Sequence, residues 1–438
     1  MDRIGRTSRL NEGTASRSGS TSARAAGSSR TRQQDIQPAT NAGHPRIPVF
    51  DSLAAIDSSL SSTLLDSTPE DRFIVRPEPF PVSTTETETS PEDLAADVSV
   101  DVAVIGAGPI GLEVAAALRR AGQDTLNVDR GPIGSQIVDF PPATRWFSGP
   151  ERIAIAGVPL ETTSQEKATR EEYLAYLRMV VRLLELPVRT FETVDSVDRS
   201  SEGFVLHTRT LAGLDRTIRA RTLVLAVGGT ASHRRLGIPG EDLPHVRNEV
   251  GDPHWGHGRR VLVVGGRNSA ADSAIRLWRA GASVTISYRG TEVYPRIKYW
   301  IRPELIACIR SGLIEARFGT VPEEITPSGV RLREVDGGGT SFVPADDVLL
   351  QIGYAADGAI FESIGCRLEG DDRAVVHDPE TMETSVPGVH VAGTAVAGTQ
   401  GRFQVYIENS HVHADRIAAA LTGAAPPPNP ELPELPEA

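Results

Sequence analysis

Cysteine is nearly absent: the 438 residues contain two, Cys308 and Cys366. They form no CxxC pair and no zinc-type cluster. That excludes a disulfide-stapled scaffold and leaves no metal site to expect, and a reducing, cytoplasmic compartment is the default. No run of about 18 apolar residues free of charge occurs, so no membrane span is expected. An excess of positive charge is missing too. The formal net charge is −12 and the pI is near 5.4. This argues against a nucleic-acid partner, because neutralising phosphates requires a basic face.

The first 45 residues have almost no large apolar side chains and are rich in Ser, Arg, Thr, Gly and Ala. Residues 46–97 turn acidic and rich in Pro and Thr, as in STTETETSPEDLAAD. Neither part can bury enough apolar surface to offset chain entropy, so residues 1–97 are expected to be a disordered extension. The early arginines also resemble a transit peptide, and VFDSLAAIDSSLSSTLL has the makings of a short docked helix. A second tail, residues 426–438, is Pro-rich and extended.

What remains, about 98–425, has the length of two domains. Strand-like runs (VDVAVIG, RTLVLAVGG, RRVLVVGG, GVHVAG) alternate with helix-like runs. Continuous Val, Leu and Ile suit strands buried on both faces of a parallel sheet, and the alternation predicts doubly wound α/β units. In TREEYLAYLRMVVRLLEL, Thr169 followed by Glu172 reads as a capping box.

Two segments carry nucleotide chemistry. In the first, the strand Val102–Ile105 is followed by Gly106, Gly108 and Gly111 in GxGxxG spacing. The first glycine permits the tight turn, the second lets backbone approach a pyrophosphate, and the third lets helix pack on strand. The next strand ends at Asp129, 18 residues beyond Gly111. Its carboxylate can accept from an unmodified ribose hydroxyl and would repel a 2′-phosphate, so FAD or NAD fits and NADP does not. The alternative is a glycine-rich turn with no ligand.

The second segment, VLVVGGRNSAADSAIRLWRAGASVTISYRG, has Gly265, Gly266, Arg267, Asn268 and Ser269 in the loop, with Ala270 small enough to pack as the third glycine does. Arg267 must point outward, where it can reach a phosphate. The following strand delivers Arg289 24 residues after Gly265, matching Asp129, 23 after Gly106. A guanidinium there can hold a 2′-phosphate bidentately, which favours NADPH; the alternative is a solvent-facing arginine. One site for an unphosphorylated dinucleotide and one for NADPH make an electron-transfer pair, with NADPH reducing a flavin.

The chain from about 98 to 425 resembles the thioredoxin-reductase-like flavoproteins, and more closely the YpdA-type bacillithiol-disulfide reductase family. The matching stretches are FPPATRWFSGPERIAIAGVPL, GIPGEDLPHV, RIKYWIRPELIACIRSGLI, DPETMETSVPGVHVAG and YIENSHVHADRIAAAL, together with the second glycine segment. The resemblance implies two Rossmann-like, three-layer α/β domains: an FAD domain split into 98–235 and 346–425, and an NAD(P)H domain, 240–345, inserted between. It implies FAD contacts at Gly106, Gly108, Pro109, Ile110, Gly111, Asp129, Gly134, Gln136, Gly228, Gly393, Thr394 and Gln404. A last helix, from about Phe403 to Leu421, would point its N-terminus at the flavin, near Arg402, Phe403 and Gln404. His413 is the candidate catalytic residue, because the family has a histidine there; His411, two positions away, does not share its face.

One departure stands out. The family's glycine loop carries cysteine where this chain has Ile110, and isoleucine cannot attack a disulfide. Cys308, in a helical stretch, and Cys366, near an exposed turn, read as structural. The implied activity is NADPH-dependent, FAD-mediated reduction of a small acceptor, foremost a low-molecular-weight disulfide such as bacillithiol disulfide; the oligomeric state stays open, a homodimer being possible because this fold class often dimerises. Alternatives are a ferredoxin- or quinone-type NADPH reductase and a low-turnover redox sensor. A flavin monooxygenase is disfavoured because Phe147-Ser148-Gly149 begins its motif but Ile153 stands in place of histidine.

Overall fold

Val98–Ile105 forms the first strand, β1, of the computed structural model, which describes residues 97–401 and 404–428. The readings for residues 1–96, Arg402, Phe403 and residues 429–438 lie outside the described residues. The last four residues of β1 are buried, as are all four of β2 (Thr125–Val128). Helix α1 (Pro109–Arg120) joins them, and the two strands pair in parallel. The sheet continues through β3 (Val188–Arg189), β4 (Glu192–Ser200), β5 (Gly203–Thr210) and β6 (Asp215–Leu225) in the order β3-β2-β1-β6-β5-β4. β6 is long enough to pair with β1 along one edge and with β5 along part of the other. Short helices α2 (Ser135–Val138) and α3 (Pro150–Ile153) precede α4 (Arg170–Leu183). The capping box at the start of α4 forms as the sequence predicts: Glu172 N–H donates to the Thr169 hydroxyl, and Thr169 N–H donates to the Glu172 carboxylate at 2.7 Å.

The chain leaves this sheet through β7 (Ser232–His233) and builds a second, fully parallel one. Its strands are β8 (Val246–Arg247), β9 (Arg260–Val264), β10 (Ser283–Tyr288) and β11 (Ile314–Phe318). Helices α5 (Asn268–Arg279) and α6 (Arg302–Arg310) make the crossovers. An antiparallel meander follows: β12 (Thr320–Thr326), β13 (Gly329–Glu334) and β14 (Thr340–Pro344). Strand β15 (Asp347–Leu350) then closes the sheet beside β9. The sheet alternates cleanly. Val261 and Val263 pack with Ala270, Leu277 and Leu305 of the helices, whereas Leu262 and Val264 pack with Val330, Leu332 and Val343 of the meander. Three layers result, and each fully buried aliphatic side chain contributes about 1.5–3 kcal/mol. The expected end of the insertion at residue 345 is corrected: β15 pairs in parallel with β9, so the second sheet runs past it.

The chain returns along β16 (Tyr354–Ala355), which pairs antiparallel with β7, so the two crossings between sheets lie side by side. After α7 (Ala359–Ile364) and the small hairpin β17 (Leu368–Glu369) and β18 (Ala374–Val375), β19 (Val389–Val391) rejoins the first sheet in parallel with β6. The final helix, α8, is His411–Thr422. It starts later than residue 403 because the Gln400 carboxamide oxygen takes the amides of Gln404 and Val405, at 2.7 and 2.9 Å, and holds that segment out of the helix.

Candidate functional site

At the tip of β1 the glycines do separate jobs. Gly106 has φ +117°, and a Cβ there would lie 2.4 Å from the Ala226 carbonyl oxygen. A Cβ on Gly111 would lie 2.4 Å from the Gly106 carbonyl oxygen. Both are therefore close-approach positions between backbones. Gly108 is different: it caps α1 in extended conformation, and a Cβ on it would meet nothing within 4 Å. No side chain caps this helix end, so its positive dipole end faces open space. Asp129 follows β2 and is buried, with Oδ2 accepting the Ala107 N–H and Oδ1 the Gly131 N–H, both at 2.8 Å. The loop and the acid are thus one hydrogen-bonded unit. A pyrophosphate over Gly108 and a ribose at Asp129 fit these residues.

This loop opens on a cavity of about 530 Å³. Gly106, Gly108, Pro109, Ile110, Gly111, Asp129, Gly134, Gln136, Gly228, Gly393 and Thr394 all line it. Gln136 acts as a clamp. Its Nε2 donates to the Val227 carbonyl at 2.7 Å and its Oε1 accepts from the Thr230 hydroxyl at 2.7 Å. A Cβ on Gly228 would collide with this carboxamide at 2.5 Å. Gly393, with φ +69°, packs against Ile110, so the isoleucine fills the floor of the cavity. Gln404 is exposed and is not in the lining; the wall there is Val405, Tyr406, Ile407 and Glu408. Glu408 accepts a hydrogen bond from the buried Ser148 hydroxyl.

Neither histidine of α8 lines the cavity, and they face different partners. His413 is buried, and its Nδ1 accepts the Gly393 N–H at 3.1 Å. Burial, reinforced by His377, Arg416 and His411, pushes its pKa down to about 4, so the ring is neutral and supports the Gly393 turn from behind. His411 does the opposite. Its Nδ1 meets Glu113 Oε2 at 2.7 Å and its Nε2 meets the Arg152 carbonyl at 2.9 Å. Burial opposes charge here, but the hydrogen bond and charge of Glu113, together with the Arg152 carbonyl, outweigh it and raise the pKa above the ordinary histidine value.

A pH dependence follows. Because the folded-state pKa is raised, the stability this pair contributes is fully present below the unfolded-state pKa and is lost as pH rises through the folded one. His411→Ala also leaves Glu113 Oε2 without its partner, although Oε1 keeps the Ala156 N–H, and is expected to cost about 1–3 kcal/mol at pH 5.5, with a smaller cost at pH 8.5. Urea unfolding at the two pH values checks this; an equal cost at both would contradict it.

Both cysteines are buried and unpaired, and neither lines the cavity. Cys308 is on the buried face of α6, in the core of the second sheet, and burial raises its pKa. Cys366 is more enclosed than an exposed turn would make it: it is 6% exposed, in the core of the first sheet, and burial raises its pKa as well. An isoleucine floor and two inert thiols leave the cavity without a thiolate.

The second glycine loop repeats the first with one change. Gly265 has φ +138°, and a Cβ there would lie 2.3 Å from the Gln351 carbonyl oxygen. Gly266 faces the Tyr288 ring, which a Cβ would strike at 2.1 Å. Arg267 caps α5 from an exposed position. It donates to the Gly401 carbonyl at 3.1 Å and its guanidinium stands 5.5 Å over the Tyr294 ring. Asn268 Oδ1 accepts the Lys298 N–H at 2.9 Å, and Ser269 is exposed at the helix start. Arg289 directly follows β10 as Asp129 follows β2, and it is exposed with no hydrogen-bond or ion-pair partner among the described residues. An uncapped helix end and a free guanidinium fit a second, 2′-phosphorylated dinucleotide.

Lys298 and Trp300 were not singled out by the sequence. Lys298 belongs to the segment after β10 yet lines the cavity of the first loop, and Trp300 stacks on Phe147 with ring centroids 6.0 Å apart. The two nucleotide loops therefore flank one shared rim.

A family model described as pyridine nucleotide-disulphide oxidoreductase matches residues 103–393. The chain is 34% identical over 319 residues to the bacilliredoxin reductase Bdr of Bacillus subtilis (strain 168), covering 73% of this chain and 96% of that protein. A ferredoxin–NADP reductase of Ignicoccus hospitalis is 28% identical over 302 residues, 67% of this chain and 89% of its own. The structure of the bacillithiol disulfide reductase Bdr (YpdA) from Bacillus cereus matches with a TM-score of 0.71 at 33% identity, over 74% of this chain and 99% of that one.

Proposed function

Because the chain belongs to the pyridine nucleotide-disulphide oxidoreductases and is an FAD-dependent NAD(P)H oxidoreductase, we propose that it draws electrons from NADPH to reduce a low-molecular-weight disulfide such as bacillithiol disulfide. The observation that carries this reading is the likeness to Bdr across 96% of that protein's length. FAD, when bound, supplies the two-electron relay between nicotinamide and acceptor.

The chain's own residues divide the work. Gly106, Gly108 and Gly111 admit the pyrophosphate of FAD, Asp129 accepts from its ribose, and the Gln136 clamp keeps the Gly228 turn open beneath the cavity. His413 holds Gly393 in its turn from behind and acts as a positioning residue. The amides at Asn268 and Ser269 would take the NADPH pyrophosphate, and Arg289 would meet its 2′-phosphate. Tyr406 to Glu408 form the far wall of the cavity.

Ile110 shapes the chemistry. With no thiol in the lining, no mixed disulfide with the enzyme forms; an acceptor disulfide would take its two electrons directly from bound FAD and two protons from solvent, leaving as two thiols. A second reading, a ferredoxin or quinone reductase, draws support from the same isoleucine and from the Ignicoccus relative. The buried, unbridged cysteines support a cytoplasmic setting, and a homodimer belongs to the same reading.

The test is NADPH consumption by the FAD-loaded protein with bacillithiol disulfide, other disulfides, quinones and ferredoxin in turn. Bacillithiol disulfide is expected to raise the rate well above the acceptor-free value. If every disulfide leaves that rate unchanged while a quinone or ferredoxin raises it, the disulfide reading is wrong.

A further inference from the structure

The cavity contains a charge that nothing in it cancels. Four carboxylates line it, and each already has a donor. Asp129 holds the amides of Ala107 and Gly131. Glu192 is paired with Arg216 at 3.0 Å. Asp357 accepts the Ala359 N–H at 2.9 Å, and Glu408 accepts from Ser148. Of the cations in the lining, Arg145 is paired with Glu166 at 2.8 Å, whereas Arg130, the residue after Asp129, is exposed at the nucleotide end and has no ion pair among the described residues.

Lys298 is different. Its ammonium donates to the Arg145 carbonyl at 3.1 Å and stands 5.3 Å over the Trp300 ring, and no carboxylate among the described residues is within ion-pair distance. Lys167 adds positive charge beside it, 4.8 Å over the same ring. Burial, opposed by Asp272 and reinforced by Lys167 and Arg276, lowers the Lys298 pKa, as expected of a half-buried ammonium short of negative partners.

Its place is as telling as its charge. The Lys298 backbone is tied to Asn268 at the first residue of α5. Its side chain crosses to the rim made by Arg145, Trp146 and Phe147. Its side chain thus lies at the Arg145–Phe147 rim of the cavity, on the side where the second glycine loop meets it. Resting on the disulfide reading above, we propose that Lys298 is a specificity-determining residue that binds a carboxylate of the acceptor, so that the substrates are small disulfides carrying negative charge. An ammonium over an aromatic face, with one carbonyl and no counter-ion, is a ready partner for a carboxylate.

Calorimetry on the FAD-loaded, oxidised protein tests this with two probes of opposite charge, dithiodiglycolate and cystamine, on wild type, Lys298→Met and Lys298→Arg. Wild type is expected to bind dithiodiglycolate more tightly than cystamine. Lys298→Met should lower the ratio of the two affinities about 10- to 100-fold, the range of a hydrogen bond to a charged group, and Lys298→Arg should restore most of it. FAD content confirms that each variant is folded. The proposal is overturned if wild type does not prefer the anion, if Lys298→Met leaves the ratio unchanged, or if the variant's only defect is weaker binding of NADP+ in the same calorimetry. Binding is read without turnover, so a protein that reduces no disulfide would sink the functional reading separately from this one.

Discussion

Gly108→Val is expected to yield a folded protein that no longer retains FAD. Gly108 has φ −76° and ψ 178°, ordinary extended backbone for any L-residue, and the added side chain points into open space. Nothing in the folded chain resists it, so apoprotein stability should stay within about 0.5 kcal/mol of wild type. That open space is where a pyrophosphate must approach the α1 amides. Displacing it removes charge-assisted hydrogen bonds at about 1.5–3 kcal/mol each, so FAD affinity should fall about 100-fold or more. Gly111→Val is the contrasting control. Its Cβ would lie 2.4 Å from the Gly106 carbonyl oxygen, and overpacking of that kind costs about 1–3 kcal/mol whether or not FAD is present. The ratio of bound flavin to protein, with urea unfolding of both apoproteins, separates the two effects. Equal FAD retention in Gly108→Val and wild type would contradict the role of this loop.

Arg289→Asp is expected to reverse the choice of electron donor. The substitution puts a carboxylate directly after β10, matching Asp129 after β2. Arg289 is exposed and makes no ion pair or hydrogen bond among the described residues, so the fold loses nothing. A bidentate contact to a 2′-phosphate would become repulsion, and a carboxylate would be gained for the unmodified ribose of NADH. The ratio of kcat/KM for NADPH to that for NADH should fall about 100- to 1000-fold. An unchanged ratio, or a wild type that prefers NADH, would remove Arg289 from the 2′-phosphate site.

Both variants fall on residues that could be read directly, for a physical reason. A strand end, a tight turn and a helix start constrain side-chain size at fixed spacing, so Gly106, Gly108 and Gly111 stand out without coordinates. The acid or base one strand later follows from the length of the intervening helix. The Thr169 capping box is local in the same way. The rest of the site is assembled by tertiary contact. Ser148 and Glu408 meet across 260 positions, and Lys298 reaches the cavity from the other sheet. His413 finds Gly393 only because α8 packs behind that turn. Misreadings have the same origin. The apolar run at Asp347–Leu350 suits either sheet, and only its pairing with β9 assigns it. Residues 404–406 lie outside the helix because the Gln400 side chain captures the amides of Gln404 and Val405 and the Asn409 side chain that of Tyr406, contacts no periodicity announces.

The central claim is that one chain holds FAD at Asp129 and draws electrons from NADPH bound at Arg289. The visible absorption spectrum of the purified protein, recorded without oxygen before and after NADPH, tests it most directly. The account predicts a yellow protein whose flavin absorption bleaches on adding NADPH. A colourless protein that takes up no FAD, or a bound flavin that NADPH leaves oxidised, would contradict it.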